Sequence, residues 1–135
     1  MVILYTNQVY IMKIPDNYLP VMPYLVLDRA VEFKQFCEHT FNATEQMIVP
    51  GEDSRVIMHG ELKINDAVIM FANSNDNWKQ KTSGMFIFVE NVDTVYKRAI
   101  EAGSTSLQKP THEVYGYAAG FEDPFGNHWW INEIK

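Results

Sequence analysis

Residues 117–134 read YAAGFEDPFGNHWWINEI, two apolar runs on either side of Asp123-Pro124-Phe125-Gly126. Proline fixes φ at the second position of a tight turn and glycine suits the fourth, so the segment predicts strands over Tyr117–Glu122 and His128–Ile134 joined by that turn. Working toward the N-terminus, Ser104–Gln108 predicts a strand that Pro110 ends. Ahead of it, Val95, Tyr96, Ala99 and Ala102 fall on one face of a helix that Gly103 stops, with Asp93 as cap. Met85–Val89 is an apolar strand. The order is β-α-β-β-β.

The preceding part of the chain has the same order. Val21–Leu27 reads as a strand, Asp28 as a cap, and Ala30, Phe33, Cys37 and Phe41 recur at helical spacing up to Asn42, a residue that tolerates the left-handed conformation closing a helix. Glu45–Pro50, Arg55–Ile64 and Ala67–Asn73 follow as strands, the last two joined by Asn65-Asp66. The two cap candidates lie 65 positions apart, which points to an internal duplication. The expected fold is α+β: two tandem β-α-β-β-β modules, about 18–74 and 83–135, forming a curled mixed sheet around a cleft with helices outside. Residues 75–82 read as a linker, with Trp78 over a pocket or the core. Residues 1–17 read as an N-terminal extension to a single domain spanning 18–135. Within it, Met1–Met12 suits either an added edge strand or a lead-in to a start at Met12, and lacks the basic flank of a secretory signal.

Composition narrows the function. The 135 residues carry a formal charge of −6 with no basic block, which argues against a nucleic-acid partner. A single cysteine, Cys37, excludes an internal disulfide or a thiolate zinc cluster and points to the cytoplasm; its place among the helix's apolar positions marks it as inert core. No apolar run approaches the roughly 20 residues of a membrane-spanning helix, so no membrane partner is expected.

The tandem order, Met22-Pro23-Tyr24-Leu25, the run His59 to Asp66, and Tyr115-Gly116 followed by Asp123-Pro124-Phe125-Gly126-Asn127-His128-Trp129 together resemble the vicinal oxygen chelate superfamily. Glyoxalase, bleomycin-resistance and extradiol-dioxygenase proteins belong to that group, and the closest likeness is to its PhnB-like branch, over about residues 18–135. The resemblance implies sheets curled around a cleft, a homodimer, and, in the enzymes, a divalent metal held by His and Glu. At the implied ligand positions stand Val21, Gly84 and Trp130, with only Glu61 offering a donor. The usual metal site is therefore expected to be absent.

Strand alternation places Val56, Met58, Gly60, Leu62 and Ile64 under the helices. Arg55, Ile57, His59, Glu61 and Lys63 then fall on the concave side. His59 and Glu61 there suit ligand contact, a shared proton, a solvated ion pair or metal ligation. The last strand aims His128, Trp130 and Asn132 the same way and turns Trp129 into the core; Trp130 suits an aromatic wall as well as core. Tyr115 and Tyr117, with His112 and Glu113, read as a loop at the cleft mouth. The expected ligand-binding set is His59, Glu61, His128, Trp130, Tyr115 and Tyr117, around a small, partly aromatic molecule and with no cofactor. The alternative is a metal-dependent lyase or isomerase, or a dioxygenase, using one divalent ion. A homodimer is expected because open, cupped sheets leave edges that a second copy can cover.

Overall fold

The computed structural model describes the backbone of residues 2–5, 8–11 and 13–135, and side chains from Lys13 onward. A short antiparallel pair, β1 (Val2–Tyr5) and β2 (Gln8–Ile11), comes first. These two strands pair with each other rather than joining the edge of a larger sheet. Residues 1, 6, 7 and 12, which include the alternative start at Met12, lie outside the described residues.

The first module contains β3 (Tyr24–Leu27), α1 (Ala30–Phe41), β4 (Thr44–Pro50), β5 (Ile57–Ile64) and β6 (Ala67–Asn73). The second contains β7 (Gly84–Val89), α2 (Val92–Glu101), β8 (Thr105–Glu113), β9 (Gly116–Glu122) and β10 (His128–Glu133). Their sheets run β3-β6-β5-β4 and β7-β10-β9-β8, each with one parallel pair, β3 with β6 and β7 with β10. The duplication and the α+β class are thus present in the topology, although the helices begin 62 positions apart and not 65.

That offset differs because both caps differ from expectation. Arg29 occupies the α1 cap without a side-chain hydrogen bond, while Asp28 accepts from Ser74 Oγ and its amide donates to Gln80. Asn91 caps α2 by accepting from the Thr94 amide, and Asp93 sits in the first turn, where its carboxylate accepts from Tyr117. Asn42 does close α1 in the left-handed conformation.

Bulges account for three further corrections. Val49 pairs with His59 and Pro50 with Ile57, so Met58 is the extra residue on β5. Met58 is 66% exposed instead of core, and Ile57 turns inward to 4%. On β8 the register slips on both sides of Gln108, and Pro110 lies inside the strand rather than ending it. This is tolerated because β8 is an edge strand, where a missing N–H breaks no ladder. His112 and Glu113 consequently belong to β8 and not to a loop, while Tyr117 lies in β9, in keeping with the strand expected over Tyr117–Glu122.

One hydrophobic core serves both modules, and α1 links them. Phe33 packs edge-on against Phe71 of the first sheet and Phe125 of the second module, and Phe36 meets Phe121 and Phe125. Phe41 lies 4.5 Å from the ring centre of Trp129. Aromatic pairs of this geometry add about 0.5–1.5 kcal/mol each beyond their buried area. Cys37 is fully buried in this core, which pushes its thiol well above the ordinary range.

Candidate functional site

Each sheet has one face under a helix and one face free of helices. On the first sheet Tyr24, Met70, Glu61 and Met47 form a row across the free face, with His59 beside Val49 in the next. Glu61 is 3% exposed and each of its carboxylate oxygens has a partner. Oε1 accepts from Tyr18 Oη at 2.8 Å and from Gln46 Nε2 at 3.0 Å, while Oε2 lies 2.7 Å from His59 Nε2. His59 Nδ1 is in turn 3.1 Å from Tyr24 Oη. Gln46 reaches this position because it is the extra residue of a bulge in β4, where Glu45 pairs with Leu62 and Met47 with Glu61. It also donates to the Asn17 carbonyl, and Lys63 donates to the Asn17 side chain, so residues 17–18 lie as a strap over this end of the sheet.

Burial pushes the Glu61 carboxyl up, but the hydrogen bonds from His59, Gln46 and Tyr18 outweigh it, leaving the group below the usual glutamate range. The same contact acts oppositely on Tyr18, whose hydroxyl is held above the ordinary phenol range by its bond to the carboxylate.

On the second sheet the free face carries three rows: Phe88 and Asn132 with Ala118; Phe86 and Trp130 with Gly120; Gly84 and His128 with Glu122. Phe86 and Phe88 are more than half exposed and Trp130 is 39% exposed, so Trp130 lies on the free face while Trp129, at 1%, is core. His128 Nε2 lies 2.9 Å from Glu122 Oε1, and its ring stands edge-on to Trp130 at 6.5 Å. Asn132 Nδ2 donates to the Tyr115 carbonyl, fixing the turn that presents Tyr115 to solvent. Tyr117 is on the helix side: its hydroxyl donates to Asp93 at 2.7 Å, which raises its phenol above the ordinary range, and its ring packs on His112.

The structure therefore groups the expected residues in pairs. His59 joins Glu61 on one sheet, and His128 joins Trp130 on the other, with Tyr115 at a turn and Tyr117 against α2. The cavity of about 370 Å³ beside Phe41, Asn65, Val89 and Arg98 and that of about 260 Å³ beside Arg29, His39 and Phe125 contain none of these residues. Sequence reading did not identify Tyr18, Tyr24, Gln46, Phe86, Phe88 or Glu122. The period-2 alternation of Gly84–Val89 and Tyr24–Leu27 carried a signal for the aromatic ones. Gln46 and Tyr18 depend on a bulge and a strap and had none.

The His59–Glu61 pair offers two of the donors that a divalent metal takes, and both side chains are hydrogen-bonded to each other and to Tyr18, Gln46 or Tyr24. Val21, 86% exposed ahead of β3, Gly84 and Trp130 bring no donor. Among the described residues, no three His, Cys, Asp or Glu side chains cluster as a metal would need.

Residues 24–131 match the Glyoxalase/Bleomycin resistance protein/Dioxygenase superfamily, and the chain belongs to it. An uncharacterised protein of Mycobacterium bovis is 31% identical, the match covering 82% of this chain and 80% of that protein. Among solved structures, a PhnB protein from Bacillus cereus aligns with a TM-score of 0.72 at 16% identity, covering 86% of this chain and all of that one. TnmS3, an antibiotic binding protein from Streptomyces sp. CB03234, aligns with a TM-score of 0.66 at 17% identity, covering 87% and 100%. At such identities these two likenesses concern the fold. Among the described residues no helix is long and apolar enough to cross a membrane.

Proposed function

We propose that this protein binds a small, partly aromatic molecule on the free faces of its sheets, without a resident metal, as a cytoplasmic homodimer. The observation that carries the reading is the wall formed by Trp130, Phe86 and Phe88, three large aromatic side chains left accessible on one sheet face beside the polar His128–Glu122 pair. Flat, rigid rings offer contact area at small entropic cost, and neighbouring polar groups fix orientation. Glu61, His59 and Tyr24 offer the polar counterpart on the other sheet, and Tyr115 stands at an exposed turn. That the same fold serves an antibiotic binding protein supports the ligand class. The open edge strands of the two sheets offer a second copy a place to pair, which supports the dimer. The single buried cysteine suits a reducing compartment.

Titration with the aromatic probe 1-anilinonaphthalene-8-sulfonate tests the site. Binding that weakens at least tenfold in Trp130→Ala, with folding still cooperative, supports it; equal binding by both proteins overturns it. Light scattering tests the assembly, a monomer at micromolar concentration being the adverse result. Elemental analysis of protein purified without chelator tests the metal, and stoichiometric Zn, Ni, Mn or Fe would favour lyase, isomerase or dioxygenase chemistry instead.

A further inference from the structure

With Glu61 ionised and the His59 ring neutral, the hydrogen bonds of Tyr24, His59 and Glu61 run in one direction. An ionised carboxylate only accepts, so the proton between Glu61 Oε2 and His59 Nε2 resides on the nitrogen. With the ring neutral, Nδ1 then bears a lone pair, and the donor facing it is the Tyr24 hydroxyl at 3.1 Å. The buried end of the row is held by Tyr18 and Gln46 on Glu61, which keeps the carboxylate from turning away. At the other end Tyr24 is 49% exposed, and among the described residues His59 is the one hydrogen-bond partner of its hydroxyl, which leaves the oxygen lone pairs to meet a ligand. This is the arrangement of a reactive group, a base and an orienting acid, with a phenol as the reactive group.

We propose that Tyr24, His59 and Glu61 form a metal-free proton relay in which Tyr24 acts as base toward a small ligand bearing a weakly acidic O–H or C–H beside a carbonyl. In the step, the ligand's proton bonds to Tyr24 Oη as the proton already there passes to His59 Nδ1. The ligand is left as its enolate or alkoxide, and the new imidazolium is paired with the Glu61 carboxylate. No electrons are gained or lost, and return of the proton resets the relay. The proposal rests on the binding reading only in requiring that a ligand reach Tyr24.

The relay is testable with no ligand, so its failure and that of the binding site are separable. The probe is 4-(2-aminoethyl)benzenesulfonyl fluoride: the phenol oxygen bonds to sulfur, the S–F bond breaks, fluoride leaves, and the phenol proton passes to His59. Peptide mapping by mass spectrometry should find Tyr24 modified at least about tenfold faster than Tyr115, which is more exposed and has no base beside its hydroxyl among the described contacts. His59→Phe and Glu61→Gln should bring Tyr24 down to the Tyr115 rate. Equal rates at the two tyrosines in the unmodified protein, or a Tyr24 rate unmoved by His59→Phe, would overturn the proposal. Should either variant fail to fold, 15N NMR of the unsubstituted protein decides: the His59 ring must carry its proton on Nε2 at pH 8, and a proton on Nδ1 refutes the relay.

Discussion

Trp130 lays its ring directly on Gly120 of the neighbouring strand: a Cβ at position 120 would come 2.3 Å from Cζ3 and 2.4 Å from Cε3 of the indole. Glycine is required here by space and not by backbone conformation, since the absent side chain is what lets the ring lie flat along the free face. Gly120→Ala should therefore lift Trp130, shift the indole emission, and weaken the aromatic probe about as much as Trp130→Ala does. Displacing a ring that is partly exposed costs less than overpacking a closed core, so stability should fall by about 1 kcal/mol, at the low end of the overpacking range. Urea unfolding and fluorescence on the same samples check both; unchanged emission would mean that the ring is not held there.

Glu61 should make the protein sensitive to acid. Its folded pKa is depressed, so its contribution to stability is present above the ordinary glutamate range and is lost as pH falls through the lower folded value. Hydrogen bonds to a charged group are worth about 1.5–3 kcal/mol each, so Glu61→Gln, which keeps the shape but not the charge, should destabilise at pH 7. The same variant should flatten the decline in stability between about pH 5 and pH 3. Urea midpoints measured across that interval provide the check, and parallel curves for the two proteins would contradict it.

The topology was readable because turn chemistry and apolar periodicity agree over long segments. Asp123-Pro124-Phe125-Gly126, Asn65 and Asn42 each stand where a reversal or a left-handed residue is required. Positions set by competition between partners were not readable. Asp28 has the chemistry of a cap, but Ser74, 46 residues away, engages it first. The faces of β5 follow simple alternation from His59 onward and lose it at Met58, because a bulge depends on the partner strand's register. Pairing of His59 with Glu61 followed from their spacing, whereas Tyr24 reaches His59 only once β3, β6 and β5 are in register.

Cys37 should be unreactive in the native protein. It is fully buried and its thiol is held well above the ordinary range by burial first, with the nearby carboxylates of Asp123 and Glu38 adding to it. Reaction with a disulfide reagent at pH 8 should follow the opening of the fold and accelerate with urea. Immediate stoichiometric modification without denaturant would show that α1 opens far more readily than its packing implies.

Asp123 should be among the most costly residues to replace. Its buried carboxylate accepts four hydrogen bonds: Oδ1 from the amides of Phe125 and Asn127, and Oδ2 from Asn127 Nδ2 and Trp129 Nε1. The same residue thus closes the turn between β9 and β10 and ties down the indole that Phe41 of α1 packs against, joining hairpin, core and first module. Asn127 carries the connection further, since its side-chain oxygen accepts from the Ser83 amide at the start of the second module. Asp123→Ala leaves several buried donors without partners, each worth about 1–3 kcal/mol, and should cost at least about 3 kcal/mol in urea unfolding. Asp123→Asn keeps one acceptor oxygen but places an amide opposite donors, so it should recover only part of that loss. An alanine variant within 1 kcal/mol of the parent would mean that water or a rearranged turn replaces the carboxylate, and that this turn is not what secures the second module.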